Sequence, residues 1–280
     1  DTQAQYLSIV NQSASTLLGV INDILDFSKI EAGKLELDIE KCDLFELVDQ
    51  AADIVAFQAQ KKGLELLINI SPELHRYVWT DSVRLKQILV NLLSNAVKFT
   101  EEGEVVLSVY ESPGTETDNV SLRFEVRDTG IGIKEEKRSS IFDAFTQEDV
   151  STSKRYGGTG LGLTISNNLL KLMHSQLQLQ STVGEGTTFY FDIELRAEHA
   201  ETPVWKPLPD IRRVLIADDN AMSRTIIREL LSLANVICDE VTSGFEVVKA
   251  LNAGNKYDVV LLDCNMPYLN GLETASRLRA

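Results

Sequence analysis

An alternating apolar run, Leu122-Phe124-Val126, stops at Asp128, and the chain continues Thr129-Gly130-Ile131-Gly132-Ile133. Period-two alternation marks a half-buried strand, so Asp128 stands at a strand end. Some thirty residues on comes Gly157-Gly158-Thr159-Gly160-Leu161-Gly162, leading into the apolar segment Leu161-Gly162-Leu163-Thr164-Ile165 of an expected helix. A polar block, 87-QILVNLLSNAVKFT-100, precedes both. Either glycine run alone would suit a plain turn; three elements in this order point to one nucleotide pocket. An aspartate at a strand end accepts a hydrogen bond from an exocyclic amine of a base. Gly130 and Gly132 are expected to let the backbone approach that base. Backbone N–H groups at the start of a helix suit phosphate oxygens.

Asn91 and Asn95 lie four apart on an expected helix and share a face, with Lys98 a turn further on. Ile88, Leu89, Leu92, Leu93 and Val97 cover its other faces. Two carboxamides and an ammonium on one side suit a magnesium triphosphate, and Arg84, Gln87 and Lys98 are expected to flank the phosphates. The plain alternative is a solvated polar face.

These segments resemble the N, G1, F and G2 boxes of the catalytic, ATP-binding domain of sensor histidine kinases. The resemblance implies ATP and Mg²⁺ as ligands, Asn95 as the surest magnesium ligand with Asn91 beside it, and Asn91, Lys98 and Arg155 as the groups acting on the triphosphate. It further implies nucleotide contacts from Asp128, Gly130, Gly132, Ile133, Phe145, Gly158, Thr159, Gly160, Leu161 and Gly162. Phe142 and Phe145 match the family's F box, at the start of an expected lid over 143–157. Gly184-Glu185-Gly186-Thr187-Thr188-Phe189 resembles its last glycine box, which puts Thr187 on the adenine side. Met173-His174-Ser175 departs from the family's Met-Gly-Gly, which should alter a turn and leave the chemistry alone.

Upstream, Leu7, Val10, Ala14, Leu17, Ile21 and Ile24 form a heptad seam that Leu18 and Leu25 widen. A helix ending near Glu31-Ala32-Gly33 is expected, and 22-NDILDFSKIEAGKLEL-37 resembles the second helix of a dimerisation and histidine-phosphotransfer domain. A homodimer through this helix follows; the alternative is a helix packed within its own monomer. The family's acceptor histidine lies on the preceding helix, and His75, His174 and His199 have no such context. The expectation is a kinase engine whose first acceptor is not in these residues.

The catalytic part reads as a mixed, mainly antiparallel sheet with helices on one face, the Bergerat-type α/β sandwich. Strands are expected over 34–40, 64–70, 104–110, 120–128, 177–181 and 186–195, and helices over 43–60, from Asp81, and over 135–142. A proline-bearing linker, 197–211, follows. Beyond it Val214-Leu215-Ile216-Ala217 ends in Asp218-Asp219-Asn220, and Val259-Val260-Leu261-Leu262 ends in Asp263-Cys264-Asn265. Helices over 221–233 and 244–253 and a strand over 236–241 complete a strand-helix alternation that implies a parallel doubly wound sheet. This segment resembles the N-terminal part of a flavodoxin-like receiver domain. The resemblance makes Asp263 the phosphoacceptor, Asp219 a direct metal ligand, Asp218 a helper, and Asn265 the donor of a backbone carbonyl to Mg²⁺.

The expected architecture is therefore α/β throughout: a dimerisation helix (1–33), the ATP-binding domain (34–196), a linker (197–211) and part of a receiver (212–280). With 280 residues and a net charge of −15, the chain lacks the basic face of a nucleic-acid binder. Cys42, Cys238 and Cys264 show neither metal spacing nor a disulfide framework, and no apolar run reaches the length of a membrane span. A cytoplasmic portion is expected, of a parent that in this family often carries a membrane sensor. A downstream phosphotransfer or response-regulator protein is the implied partner, and histidine autophosphorylation followed by transfer to an aspartate the implied activity. Two rivals stand beside it: a gyrase-like or chaperone-like ATPase, which usually places an acidic residue where Asn91 stands, and a non-catalytic scaffold.

Overall fold

The computed structural model describes residues 2–112, 119–143, 160–198 and 210–279. They divide into two compact units, Asp1–Ala200 and Glu201–Ala280.

The first unit opens with α1 (Thr2–Glu31), which stops at Gly33 with φ +63°. Leu7, Val10, Leu17, Leu18, Ile21, Ile24 and Leu25 remain exposed along it, while Phe27 and Ile30 near its end pack on the core. Next come β1 (Glu40–Asp43), α2 (Leu44–Lys62), β2 (Glu65–Ile70), β3 (Tyr77–Thr80), α3 (Ser82–Phe99), β4 (Glu104–Glu111) and β5 (Asn119–Asp128). Helix α4 (Gly162–Leu172), β6 (Gln178–Thr182) and β7 (Gly186–Ala197) complete the unit. The strands form one sheet in the order β1-β3-β7-β5-β4-β2, with β6 also on β7. Among the described residues of this sheet only β2 and β4 pair in parallel. Alternation along β5 and β7 sends Leu122, Phe124, Val126, Phe189, Phe191 and Ile193 into a core shared with α2, α3 and α4. Phe124 and Phe191 stack there with ring centroids 5.1 Å apart.

Side chains set the helix ends. Asp43 accepts from the Phe45 and Glu46 N–H groups to start α2, and Asp81 accepts from the Arg84 N–H to start α3. The C-terminus of α3 is closed from outside: Lys62 Nζ donates to the carbonyls of Val97, Lys98 and Thr100 at 2.6, 2.9 and 2.9 Å. His174 takes φ +58°, the left-handed turn that a Gly pair there would adopt without strain.

Two expectations change, and one strand is added. The alternating run 34–40 is not a strand: Leu35 and Leu37 pack on the core, but the Asp38 N–H bonds to Asp81 Oδ2 instead of a neighbouring strand, and pairing starts at Glu40. Alternation supplied a buried face without a partner backbone. The helix over 135–142 is two 3₁₀ turns, Glu135–Lys137 and Ser140–Phe142. The four-residue strand β3, too short for a periodic signal, was not foreseen.

In the second unit β8 (Arg213–Ala217), α5 (Ala221–Leu233), β9 (Ile237–Val241), α6 (Gly244–Asn252), β10 (Val259–Leu262) and α7 (Gly271–Arg279) alternate. The sheet is parallel, in the order β10-β8-β9. Its faces bury Val214 and Ile216 on one side and Leu215, Ala217 and Val247 on the other.

Candidate functional site

Register brings four residues into one row: Val105 on β4 pairs with Asp128 on β5, Asp128 with Thr187 on β7, and Thr187 with Ser181 on β6. Asp128 is buried at 7% exposure. Its Oδ1 accepts from the Gly130 N–H at 2.8 Å and the Thr187 N–H at 3.3 Å. Oδ2 takes no hydrogen bond from the described residues. Burial raises the Asp128 carboxyl above the ordinary aspartate range, against the pull of those two N–H groups and of Arg127. One oxygen is thus held by the protein and one is left to accept.

The glycines beside it serve the fold more directly than expected. A Cβ on Gly130 would lie 2.5 Å from the Phe99 carbonyl oxygen, and one on Gly132, at φ +70°, 2.1 Å from that of Thr182. Both positions are glycine because protein backbone crowds them. The loop they form is pinned by the Ile131 N–H to the Phe99 carbonyl and by the Ile133 N–H to Ser181 Oγ.

Helix α3 carries Asn91, Asn95 and Lys98, all half-buried. Asn91 Nδ2 donates to Ser166 Oγ on α4 at 2.8 Å, and its Oδ1 faces the start of α4. A Cβ on Gly162 would meet that Oδ1 at 2.3 Å, so only glycine lets the start of α4 sit against Asn91. Burial pushes the Lys98 ammonium pKa down, and its Nζ lies 4.7 Å from the centre of the Phe99 ring. Gly160 has φ +71° and Leu161 is buried ahead of α4, while Thr164 Oγ1 donates to the Phe142 carbonyl. Phe145, Arg155, Gly158 and Thr159 lie outside the described residues.

Arg84 and Gln87 do not flank this group. Arg84 Nη1 and Gln87 Nε2 both donate to Asp26 Oδ2 on α1, at 2.8 and 2.9 Å. They sit on the first turns of α3, and the local acid claims them.

In the second unit one oxygen each of Asp218, Asp219 and Asp263 fall within 4.8 Å of one another. The Asp218 carboxylate accepts from the Asn220 N–H and from Ser223 Oγ, and Asp263 Oδ2 accepts from the Asn265 N–H. Asp219 is exposed and takes no hydrogen bond from the described residues. Three carboxylates this close repel unless a cation joins them, and an all-oxygen donor set fits a hard divalent ion.

A sheet covered on one face by α2, α3 and α4, with a half-satisfied acid at a strand end, defines a nucleotide-binding domain. Residues 80–197 match the model of the histidine kinase-, DNA gyrase B- and HSP90-like ATPase family, and residues 214–280 that of the response regulator receiver domain. The chain belongs to the hybrid sensor histidine kinases. It is 34% identical over 291 residues to Autoinducer 2 sensor kinase/phosphatase LuxQ of Vibrio parahaemolyticus, covering 100% of this chain and 33% of LuxQ. It is 40% identical over 254 residues to Sensor histidine kinase GacS of Pseudomonas protegens, covering 90% of this chain and 27% of that protein. The chain thus spans about a third of the length of the relatives it matches. A crystal structure of full-length ShkA in complex with AMPPNP shares the fold, with a TM-score of 0.62 at 24% identity over 100% of this chain and 83% of that one. Among the described residues no helix is long and apolar enough to cross a membrane.

Proposed function

We propose that this chain binds Mg-ATP in the first unit, moves its γ-phosphoryl group to a histidine, and passes that group on to a receiver aspartate. The observation that carries the reading is the Asp128 carboxylate, buried at a strand end with Oδ1 held by two backbone N–H groups. Oδ2 accepts from the adenine amine, Gly130, Gly132, Ile133 and Thr187 wall the base, and Gly158 to Gly162 hold the phosphates with the α4 N-terminus. Asn95 and Asn91 would hold Mg²⁺, whose charge would screen the triphosphate. Lys98 and Arg155 stabilise the charge that develops as the bond between the γ-phosphorus and the bridging oxygen breaks. An imidazole nitrogen of the acceptor histidine takes the phosphoryl group and ADP leaves. His75 meets the Glu198 carbonyl and His174 sits in a turn, so neither stands on a helix, and the acceptor comes from another segment. In the second unit Asp263 is the acceptor, and Asp218, Asp219, Asp263 and the Asn265 carbonyl hold Mg²⁺.

Within this reading residues 1–33 form the dimer helix, 34–196 the ATP-binding domain, 197–211 the linker and 212–280 the receiver part, in a cytoplasmic portion of the parent. A homodimer through α1 and a downstream phosphotransfer or response-regulator protein are its partners. The test is labelled ATP given to this chain together with a helical hairpin that carries the family's acceptor histidine. Acid-labile label on the hairpin and base-labile label lost with Asp263→Asn support the relay; steady phosphate release without phosphoprotein overturns it.

A further inference from the structure

We infer that Ser181 is a positioning residue for purine selection, two strands from the acid that meets the base, with Thr187 between them; this rests on the ATP reading above. A hydroxyl has one proton to donate and lone pairs to accept with. Ser181 Oγ receives the Ile133 N–H at 2.7 Å, contacts the Gly186 carbonyl at 2.9 Å, and lies 2.9 Å from Thr187 Oγ1. The carbonyl can only accept, so the Ser181 proton goes there. Thr187 is then the donor between the two hydroxyls, and its single proton is spent on Ser181. Arg138 fixes the same residue from behind: its Nη2 donates to the Ser181 carbonyl, and its Nε is buried with no partner among the described residues.

The consequence is a direction imposed on the whole row. Thr187 turns only lone pairs toward a ligand, and so does Asp128 through Oδ2. Two neighbouring acceptors favour a 6-amino purine, which offers protons at that edge, over a 6-oxo purine, which offers an oxygen. The Ile133 N–H contact also ties the loop after Asp128 to β6, so Ser181 sets the position of the wall and the polarity of Thr187 at once. Without the serine hydroxyl, Thr187 regains a free proton and can serve an oxo group.

The test is calorimetric titration of this chain with ATP and, separately, GTP in Mg²⁺. Ser181→Ala should weaken ATP by about tenfold, one hydrogen-bond network's worth. GTP should weaken less, so the ATP-to-GTP affinity ratio narrows by about threefold or more. Ser181→Thr keeps the hydroxyl and should keep the ratio. A purely structural serine would lower both nucleotides in parallel, and that result, or an unmoved ratio in a folded variant, overturns the proposal. If Ser181→Ala shows no cooperative thermal transition, Thr187→Val carries the test: it removes the directed acceptor and must narrow the ratio while Ser181→Thr does not. If the unmodified chain binds neither nucleotide, the ATP reading falls and this proposal with it. ATP binding with an unmoved ratio removes the proposal alone.

Discussion

Arg84 on α3 donates to Asp26 on α1 across 2.8 Å, with side-chain exposures of 23% and 13%. Gln87 adds a second donor to the same oxygen. The helix that opens the chain is thus fastened to the helix that bears Asn91 and Asn95, through an ion pair shielded enough from water to matter.

Arg84→Ala should therefore loosen the end of α1 more than the ATP domain. A loss of about 1–2 kcal/mol is expected, because Gln87 still partners Asp26. Hydrogen exchange checks it: amides around residues 20–31 should exchange faster while β5 and β7 stay protected. Uniform deprotection of the whole unit would contradict this.

Asp128→Asn keeps an oxygen for the Gly130 and Thr187 N–H groups and places an amide where the free acceptor stood. ATP affinity should fall by tenfold or more, by the rough scale of a charged hydrogen bond exchanged for a clash of donors, with little change in melting temperature. Titration calorimetry at wild-type affinity would refute it.

The same acid gives a pH signature. Burial raises its carboxyl pKa, and the ionised form is the acceptor, so ATP affinity should fall on acidification at a higher pH than an exposed aspartate would dictate. Stability moves the other way. Between the unfolded and the raised folded pKa the folded chain holds more protons, so lowering pH through that window favours folding at this site. Affinity measured from neutral to mildly acidic pH should drop in the native chain, and the Asp128→Asn variant should lack that step.

Lys62→Met removes the donor from three carbonyls at the end of α3. Lys62 itself is exposed, so about 1 kcal/mol is the expected cost, read as a shifted urea midpoint at unchanged slope.

Asp219→Asn should weaken divalent-ion binding by the second unit, since it neutralises one of three carboxylates whose oxygens gather within 4.8 Å. Manganese titration followed by electron paramagnetic resonance should show more free ion at each addition. Nucleotide-free protein keeps the first site from contributing.

The acid at the end of β5, the asparagine face of α3 and the paired strand-end aspartates were legible because period and spacing carry them. What period cannot show is who answers a side chain from far along the chain. Arg84 and Gln87 were expected to flank the phosphates, and their partner is Asp26, some sixty positions away. The 34–40 run alternated as a strand does, and no neighbour paired with it before Glu40. Ser181 carries no motif at all in the reading of residues: only the β6–β7 register sets it beside Thr187. Gly162 was legible as glycine, but its reason, the Asn91 amide pressed against it, needed the packing of α3 on α4.

The hairpin joining β6 to β7 has an exposed tip, Val183, Gly184 and Glu185, while its base holds Ser181 and Thr187. The Gly184 N–H donates to the Ile131 carbonyl, so the tip is mechanically attached to the loop after Asp128. A small fluorophore carried on a cysteine in place of Glu185 would stand in solvent two residues from Thr187. It would turn this hairpin into an optical gauge of pocket occupancy without touching the side chains that line it.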